Sequence, residues 1–229
     1  MNLKNKIAII TGANKGIGHQ CVLKLIEQGA FVYGICRSEC TFTHPSYKCL
    51  HADVQSFEQM ETAFKFVVDT HGQIDILINN AGLGYFGLCE DLSVEDWNSM
   101  INTNISGVFY GCKLALPFMK KQSESHIINI ASIAGLEGYS QVSGYCATKF
   151  AVRGFSDALY KEVREFGVKV TCVYPGSVKT DFFRNSENIK AHDNMLKAED
   201  VADHIVFALM SPANFHSVNL EIRPLKPKG

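Results

Sequence analysis

The chain has 229 residues, of which 46% are hydrophobic and 20% charged, and its formal net charge at neutral pH is −1. This length and apolar content suffice to bury one large α/β core, and no basic run is long enough to indicate a nucleic-acid surface. The apolar run near the N-terminus is only four residues long, too short for a secretion signal or a membrane span, so we expect a cytoplasmic protein.

Short β-branched segments alternate with longer amphipathic ones, which is typical of βαβ units and a parallel sheet. Strands are predicted at residues 6–11, 31–36, 47–52, 74–79, 126–131, 168–174 and 218–222. Helices are predicted at residues 16–29, 56–70, 94–116, 143–166 and 198–210. No repeat or Pro/Gly linker divides the chain, so we expect residues 1–229 to form a single domain, with a short lid at about 180–194.

The eight cysteines are scattered and contain no Cys-x-x-Cys pair. Most fall in apolar periodic segments, which favours reduced core thiols over zinc ligands or disulfides. No metal site is therefore expected.

A glycine-rich loop joins the first strand to the first helix. Its three glycines suit a tight turn, a close approach to phosphate and packing of the helix, with a diphosphate at the helix N-terminus. An ordinary Gly-rich turn is the alternative. The candidate binding residues are Gly12, Asn14, Lys15, Gly16, Ile17 and Gly18.

Ser132 precedes Tyr145 by 13 residues, and Lys149 follows Tyr145 by four. On a helix, the four-residue spacing puts the phenol and the ammonium on one face. A fixed positive charge favours the phenolate, so we expect Lys149 to lower the pKa of Tyr145 and make it an acid for catalysis. Taken alone, Tyr-x-x-x-Lys is also compatible with a surface helical pair.

The order and spacing of these motifs resemble the short-chain dehydrogenase/reductase family. The matching segments are Thr11-Gly-x-x-x-Gly-Ile-Gly18, Asn79-Asn-Ala-Gly82, Asn104, Ser132, Tyr145-x-x-x-Lys149 and Pro175-Gly176. The resemblance covers residues 4 to about 182. It implies a doubly wound α/β fold with a parallel seven-stranded sheet in the order 3-2-1-4-5-6-7, and hydride transfer between NAD(P) and a carbonyl or alcohol.

The resemblance also implies roles for four catalytic residues. Tyr145 is the general acid or base, and Lys149 lowers its pKa and binds the nicotinamide ribose. Ser132 orients the substrate oxygen, and Asn104 holds a water that links Lys149 to solvent. For Asn104 the alternative is a helix-interior amide bonded to a backbone carbonyl.

Further cofactor contacts follow from the same resemblance. Small residues after the fourth strand approach the adenosine ribose, and the loop after the sixth strand wraps the nicotinamide. Asp53 resembles an adenine-contacting aspartate, although a turn or helix-capping role is equally compatible. The residues concerned are Asp53, Val54, Asn80, Ala81, Gly82, Pro175, Gly176, Val178 and Thr180, together with Tyr145 and Lys149.

The end of the second strand indicates which dinucleotide is used. NAD enzymes place a carboxylate there for the ribose hydroxyls, whereas this chain has Cys36 followed by Arg37. With Lys15 in the glycine loop, Arg37 suits a 2′-phosphate, so NADP(H) is predicted. Glu39 would oppose this if the strand ended one register later.

The residues expected near the substrate are mostly apolar, which favours a neutral or weakly polar carbonyl compound. They include Leu83, Tyr85 and Val142, while Lys179, Arg184 and Lys190 could meet a carboxylate. The C-terminal segment resembles the subgroup acting on 3-hydroxy acids and related broad-range carbonyl reductases. The resemblance implies a homo-oligomer, dimer or tetramer, paired through helices at about 98–120 and 144–166.

Two alternatives stay open. One is an NADP(H)-sensing regulatory protein of the same fold without turnover, which the presence of all four catalytic residues disfavours. The other is a sugar-nucleotide epimerase of the extended relatives, disfavoured because no C-terminal substrate domain is present at this length.

Overall fold

Seven parallel strands form one sheet in the order β3-β2-β1-β4-β5-β6-β7, in a computed structural model that describes residues 1–38, 40–182 and 192–226. Every strand pairing is parallel, as the βαβ pattern predicted. The strands are β1 Ile7–Thr11, β2 Phe31–Cys36, β3 Tyr47–His51, β4 Ile76–Asn79, β5 Ser125–Ile130, β6 Val168–Pro175 and β7 Asn219–Ile222. The predicted fold class and strand order are confirmed.

The helices cover both faces of the sheet. They are α1 Gly16–Glu27, α2 Phe57–His71, α3 Val94–Ile101, α4 Gly107–Met119, α5 Ser143–Val163 and α6 Ala198–Leu209, with short 3₁₀ turns at Ile133–Gly135 and Arg164–Phe166. One apolar core forms where α2, α4 and α5 meet the sheet, and a second forms beneath α1 and α6. Central strands such as β1 are buried along their whole length, which explains their unbroken apolar sequence.

The helix predicted at residues 94–116 is divided by a π-helical segment, Asn102–Ser106. There the Gly107 N–H donates to the carbonyl of Asn102, five residues back. The wider turn places Asn104 inside the protein, fully buried. π-Segments are rare and occur frequently at functional sites.

A buried polar network links β4, β5 and α5. The Asn79 side-chain amide donates to Asn129 Oδ1 at 2.8 Å, and the Asn129 amide donates to Ser156 Oγ at 2.9 Å. Ser156 Oγ in turn donates to the Val152 carbonyl at 2.7 Å. Because buried polar groups are costly unless bonded, this chain fixes α5 in register against the two central strands.

The cysteines are all free thiols. Among the described residues, no group of three or more His, Cys, Asp or Glu side chains is arranged to hold a metal ion. The same part of the chain contains no helix with the length and apolar character needed to span a membrane.

Candidate active site

The glycine loop turns sharply between β1 and α1. Gly12 and Gly16 have φ angles of +65° and +57°, which side chains other than glycine rarely adopt. A Cβ on Gly18 would lie 2.4 Å from the Gly12 carbonyl oxygen, so only glycine fits where the helix meets the loop. This part of the loop has no room for a side chain.

The N-terminus of α1 suits an anion. Its first residue follows Lys15, which makes no side-chain cap, and its first turn contains no acidic residue. Ser56 and Ser93, by contrast, cap α2 and α3 with their hydroxyl groups. The uncapped N–H groups and the positive end of the helix dipole therefore fit a dinucleotide diphosphate at this loop.

Asn80 and Thr11 hold the loop in position. Thr11 Oγ1 accepts hydrogen bonds from the backbone N–H groups of Asn80 and Ala81, each at 3.0 Å. The Asn80 amide donates to the carbonyls of Thr11 and Gly12, also at 3.0 Å each. The side chain of Asn80 thus supports the glycine loop, a role that the sequence did not assign to it.

Polar groups gather beyond the end of β2. The Asn14 amide donates to Ser38 Oγ at 2.6 Å, and Arg37 lies 4.0 Å from an Asp53 carboxylate oxygen. Asp53 Oδ1 also accepts from the N–H of Gln55, so Asp53 has the turn role considered from sequence. Glu39 lies outside the described residues.

Val54, predicted to contact the cofactor, is buried in the turn after β3, and Gly107 packs against it. Ile17 is half-buried in the first turn of α1 and packs on the core beneath that helix.

The loop after β6 approaches the glycine loop from the other side. Lys15 Nζ lies 3.6 Å from an Asp181 carboxylate oxygen, and Thr180 Cγ2 would be 3.4 Å from a Cβ on Gly16. The Gly176 N–H donates to the Ile222 carbonyl at 2.8 Å, which ties the loop to β7. Pro175 ends β6, and Val178 is buried and bridged to Leu196.

Ser132, Tyr145 and Lys149 converge between β5 and the start of α5. Ser132 follows β5 and accepts from the Ala134 N–H at 3.2 Å, and its side chain hydrogen-bonds Tyr145. Tyr145 is 8% exposed and Lys149 is 4% exposed. Lys149 Nζ donates to the Ile130 carbonyl at 2.9 Å and lies 5.6 Å from the centre of the Tyr145 ring.

Burial controls the protonation of this pair. It raises the pKa of Tyr145 above its ordinary value, and the hydrogen bond with Ser132 opposes the rise. Burial also lowers the pKa of Lys149 from 10.5 to about 8. The expectation of a lowered Tyr145 pKa is therefore wrong for this structure, because desolvation by burial is the largest influence on the phenol and the Lys149 ammonium is directed at the Ile130 carbonyl.

Asn104 makes three side-chain hydrogen bonds. Its amide donates to the Leu83 carbonyl at 2.8 Å and to Thr148 Oγ1 at 3.0 Å, and its Oδ1 accepts from the Leu83 N–H at 3.0 Å. The interior amide bonded to a carbonyl, the alternative considered from sequence, is present. Asn104 also lies close to Lys149. A Cβ on Gly82 would be 3.4 Å from Asn104 Oδ1 and 3.6 Å from Lys149 Nζ, so both side chains reach the same side of that glycine.

Aromatic side chains surround Tyr145 on the open side of the site. Phe86 and Phe182 both contact its ring, and the predicted lining residues Leu83, Tyr85 and Val142 pack in the same cluster. Lys179 pairs with Asp193 at 2.7 Å. Arg184, Lys190 and the central part of the predicted lid, residues 183–191, lie outside the described residues.

Sequence reasoning missed three contributors to the site. Phe86 lies in a loop without periodicity, and the support role of Thr11 depends on a neighbouring strand. Gly135 is required because a Cβ there would lie 2.6 Å from the Lys149 carbonyl oxygen. Only the aromatic content of residues 83–86 was a usable signal.

The sheet order, glycine loop and buried Ser-Tyr-Lys group define a Rossmann-type oxidoreductase. A family model described as short chain dehydrogenase matches residues 6–190. The chain therefore belongs to the short chain dehydrogenase family and is an oxidoreductase of that type.

Three relatives illustrate the similarity. An uncharacterized oxidoreductase of Staphylococcus epidermidis is 35% identical over 229 residues, covering 97% of this chain and 99% of the relative. The structure of ElxO with NADP bound is 30% identical with a TM-score of 0.87, over 96% of this chain and 98% of that one. A 3-ketoacyl-(acyl-carrier-protein) reductase from Brucella melitensis, complexed with NADH, has a TM-score of 0.90 at 24% identity, over 99% of this chain and 100% of that one, which shows the fold alone.

Proposed function

We propose that this protein reduces a neutral aldehyde or ketone to an alcohol with NADPH. The observation that carries the proposal is the buried Tyr145 hydroxyl, hydrogen-bonded to Ser132 and one helical turn from Lys149. Because burial raises its pKa, Tyr145 keeps its proton at neutral pH, which is the state required of a general acid in carbonyl reduction.

In this proposal each side chain acts on the substrate oxygen or supports the group that does. The bound dinucleotide supplies a hydride to the carbonyl carbon. Tyr145 donates a proton to the carbonyl oxygen, and the Ser132 hydroxyl stabilises the negative charge that develops on that oxygen. Lys149 binds the nicotinamide ribose, and Asn104, which lies beside it, holds a water that returns a proton through Lys149 from solvent.

We assign cofactor binding to the residues predicted from sequence. The glycine loop and the uncapped start of α1 receive the diphosphate, and Asn80, Ala81 and Gly82 line the ribose side. Pro175, Gly176, Val178 and Thr180 enclose the nicotinamide. Asp53 and Val54 flank the adenine.

NADP(H) is the proposed dinucleotide because Arg37 is an exposed cation just after β2, where Asn14 and Ser38 add polar groups, and Lys15 is an exposed cation in the glycine loop. A 2′-phosphate would compete with the carboxylates of Asp53 and Asp181, whose ion pairs with these cations are long and exposed. The NADP-bound relative ElxO agrees with this assignment.

We further propose a single-domain cytoplasmic protein that forms a homo-oligomer through α4 and α5. A groove between these helices is lined by Phe109, Leu116, Pro117 and Phe155. Lys113, Lys120 and Glu162 also line this groove, and Phe109 is 46% exposed, so a second copy bound there would cover apolar side chains and meet charged ones.

Replacing Tyr145 with Phe tests the proposed chemistry. The change removes the acidic hydroxyl and keeps the ring and its aromatic contacts. With a panel of aldehydes, ketones, diketones and 3-hydroxy acids, turnover of the preferred substrate should fall at least about a hundredfold, while NADPH affinity is retained.

Tyr160→Phe, about four turns further along α5, is the matched control and should keep full turnover. A Tyr145→Phe protein with more than about a tenth of wild-type turnover would identify another acid. Binding of NADPH without reduction of any panel member would favour the regulatory alternative.

A further inference from the structure

Three aromatic rings meet at the open side of the candidate active site. The Phe86 and Tyr145 ring centres are 5.8 Å apart, and the Tyr145 and Phe182 centres are 5.5 Å apart. Phe86 and Phe182 contact each other at 6.2 Å with their planes 70° apart. Phe86 and Phe182 are called the aromatic pair below.

Gly84 makes this close arrangement possible. A Cβ on Gly84 would lie 2.8 Å from Cζ of Phe86 and 3.1 Å from Cζ of Phe182. Both rings therefore lie across the backbone of the loop after β4, with their tips over Gly84. Their edges approach the catalytic ring from two different elements of the chain.

The remaining wall of this cluster is apolar. Its buried members include Met100, Ala134 and Cys146, and half-buried Leu83, Leu92 and Val142 pack against them. Among the described cations, Lys149 lies 5.6 Å from the centre of the Tyr145 ring, and its ammonium already donates to the Ile130 carbonyl. A substrate carboxylate placed here would lose water without gaining a ready partner.

We propose that the aromatic pair forms a subsite for an aryl group attached to the substrate carbonyl. This inference rests on the proposed reduction at Tyr145 and names its substrate class, aryl ketones and aryl aldehydes. An aryl ring that lies against the exposed parts of the half-buried Phe86 and Phe182 rings makes aromatic contacts with both, and its carbonyl oxygen then lies toward the hydroxyls of Tyr145 and Ser132. A small alkyl group fills the same space with less contact area and no ring interactions.

The first experiment compares substrates that share a methyl ketone group. Phenyl methyl ketone, cyclohexyl methyl ketone, 2-butanone and pyruvate are offered with NADPH, and kcat/KM is measured for each. Phenyl methyl ketone should exceed 2-butanone on the order of tenfold, and pyruvate should be the poorest. Equal or better use of 2-butanone or pyruvate overturns the subsite.

Variants of the aromatic pair give the second test. Phe86→Ala and Phe182→Ala should each lower the phenyl-to-butanone ratio by about fivefold, with NADPH affinity retained. Phe182→Leu keeps an apolar side chain but removes the aromatic ring. It should therefore lose most of the kcat/KM preference for phenyl methyl ketone over cyclohexyl methyl ketone. Phe166 lies in the 3₁₀ turn after α5 and is 51% exposed. Phe166→Ala is therefore the matched control and should leave the phenyl-to-butanone ratio unchanged.

A binding measurement separates failure of the subsite from failure of the proposed chemistry. Phenyl methyl ketone is titrated calorimetrically into the NADPH complex of Tyr145→Phe, which keeps the ring cluster but lacks the acid. Binding that Phe182→Ala weakens supports the subsite even if wild-type protein reduces nothing. Reduction of aliphatic carbonyls without measurable binding of the phenyl ketone overturns the subsite and leaves the proposed function intact.

Discussion

Replacing Lys149 with Met should stabilise the protein at neutral pH. Lys149 is 4% exposed, and burial lowers its pKa from 10.5 to about 8. Since each pKa unit corresponds to about 1.4 kcal/mol, holding the charged side chain in the fold costs roughly 3 kcal/mol below pH 8. Met has a similar length and helix propensity and carries no charge.

The hydrogen bond to the Ile130 carbonyl reduces the expected gain. Losing that 2.9 Å contact leaves a buried acceptor without its partner, at a cost of about 1–2 kcal/mol. The net gain in the free energy of unfolding is then roughly 1–2 kcal/mol. For a chain of this size it corresponds to a rise in Tm of about 2–8 °C.

The effect must also depend on pH in a defined direction. Between about pH 8 and 10.5, Lys149 is neutral in the folded state and still protonated in the unfolded state. The unfolded state then binds more protons, so wild-type stability gains from this residue as pH rises through that window. The advantage of Lys149→Met should therefore shrink from pH 7 to pH 10.5.

Urea unfolding of the two proteins without cofactor, at pH 7, 8.5 and 10.5, measures the difference. Subtracting the two curves removes the contributions of other titrating groups, which both proteins share. Lys161→Met, exposed on the same helix, is the control and should change stability by less than about 0.5 kcal/mol. A Lys149→Met protein less stable than wild type at pH 7, or an advantage that does not change with pH, would refute the reasoning.

Three further outcomes are expected. Gly18→Ala should abolish measurable NADPH binding in a titration and destabilise the fold by about 1–3 kcal/mol in a melting assay, because its Cβ would meet the Gly12 carbonyl at 2.4 Å. Gly87→Ala is the control: Gly87 has open space around it, so this variant should change neither NADPH binding nor stability. Arg37→Asp should lower the NADPH-to-NADH affinity ratio by about tenfold or more, since it replaces a phosphate-binding cation with a ribose-binding carboxylate; an unchanged ratio of dissociation constants would contradict the NADP assignment. Light scattering at micromolar concentration should give a mass above one chain, and Phe109→Asp should lower it, whereas a monodisperse wild-type monomer would remove the oligomer proposal.

The parts of the fold that were predictable from sequence are those set by local pattern and connection rules. Alternating strands and helices with right-handed crossovers leave few sheet orders, and the glycine loop marks where the first crossover begins. The π-segment at 102–106 was not predictable in this way. It depends on Asn104 reaching the backbone of Leu83, a contact between segments that no periodicity records.

The same limit explains the error in the electrostatics of the site. The spacing of Tyr145 and Lys149 correctly puts them on one buried helix face, and spacing says nothing about how much water is excluded there. Desolvation is set by the packing of Gly135 and the loop after β4 around them. A pKa direction inferred from a neighbouring charge alone therefore fails when both groups are buried together.

Burial raises the pKa of Tyr145 and lowers the pKa of Lys149, which suits the protonation states that the proposed carbonyl reduction requires. The raised pKa keeps Tyr145 protonated at neutral pH. The lowered pKa of Lys149, about 8, makes its ammonium a stronger acid, but it is still above pH 7, so Lys149 stays mostly charged there. Tyr145, the proposed donor to the substrate oxygen, is thus protonated before any substrate binds. The proposed replacement proton is on Lys149, which releases a proton more readily than an exposed lysine does. Oxidation would need the opposite state, a deprotonated tyrosine in an apolar enclosure with two phenylalanine rings against it. The enclosure to which we assign an aryl group would in this way also favour the proposed carbonyl reduction.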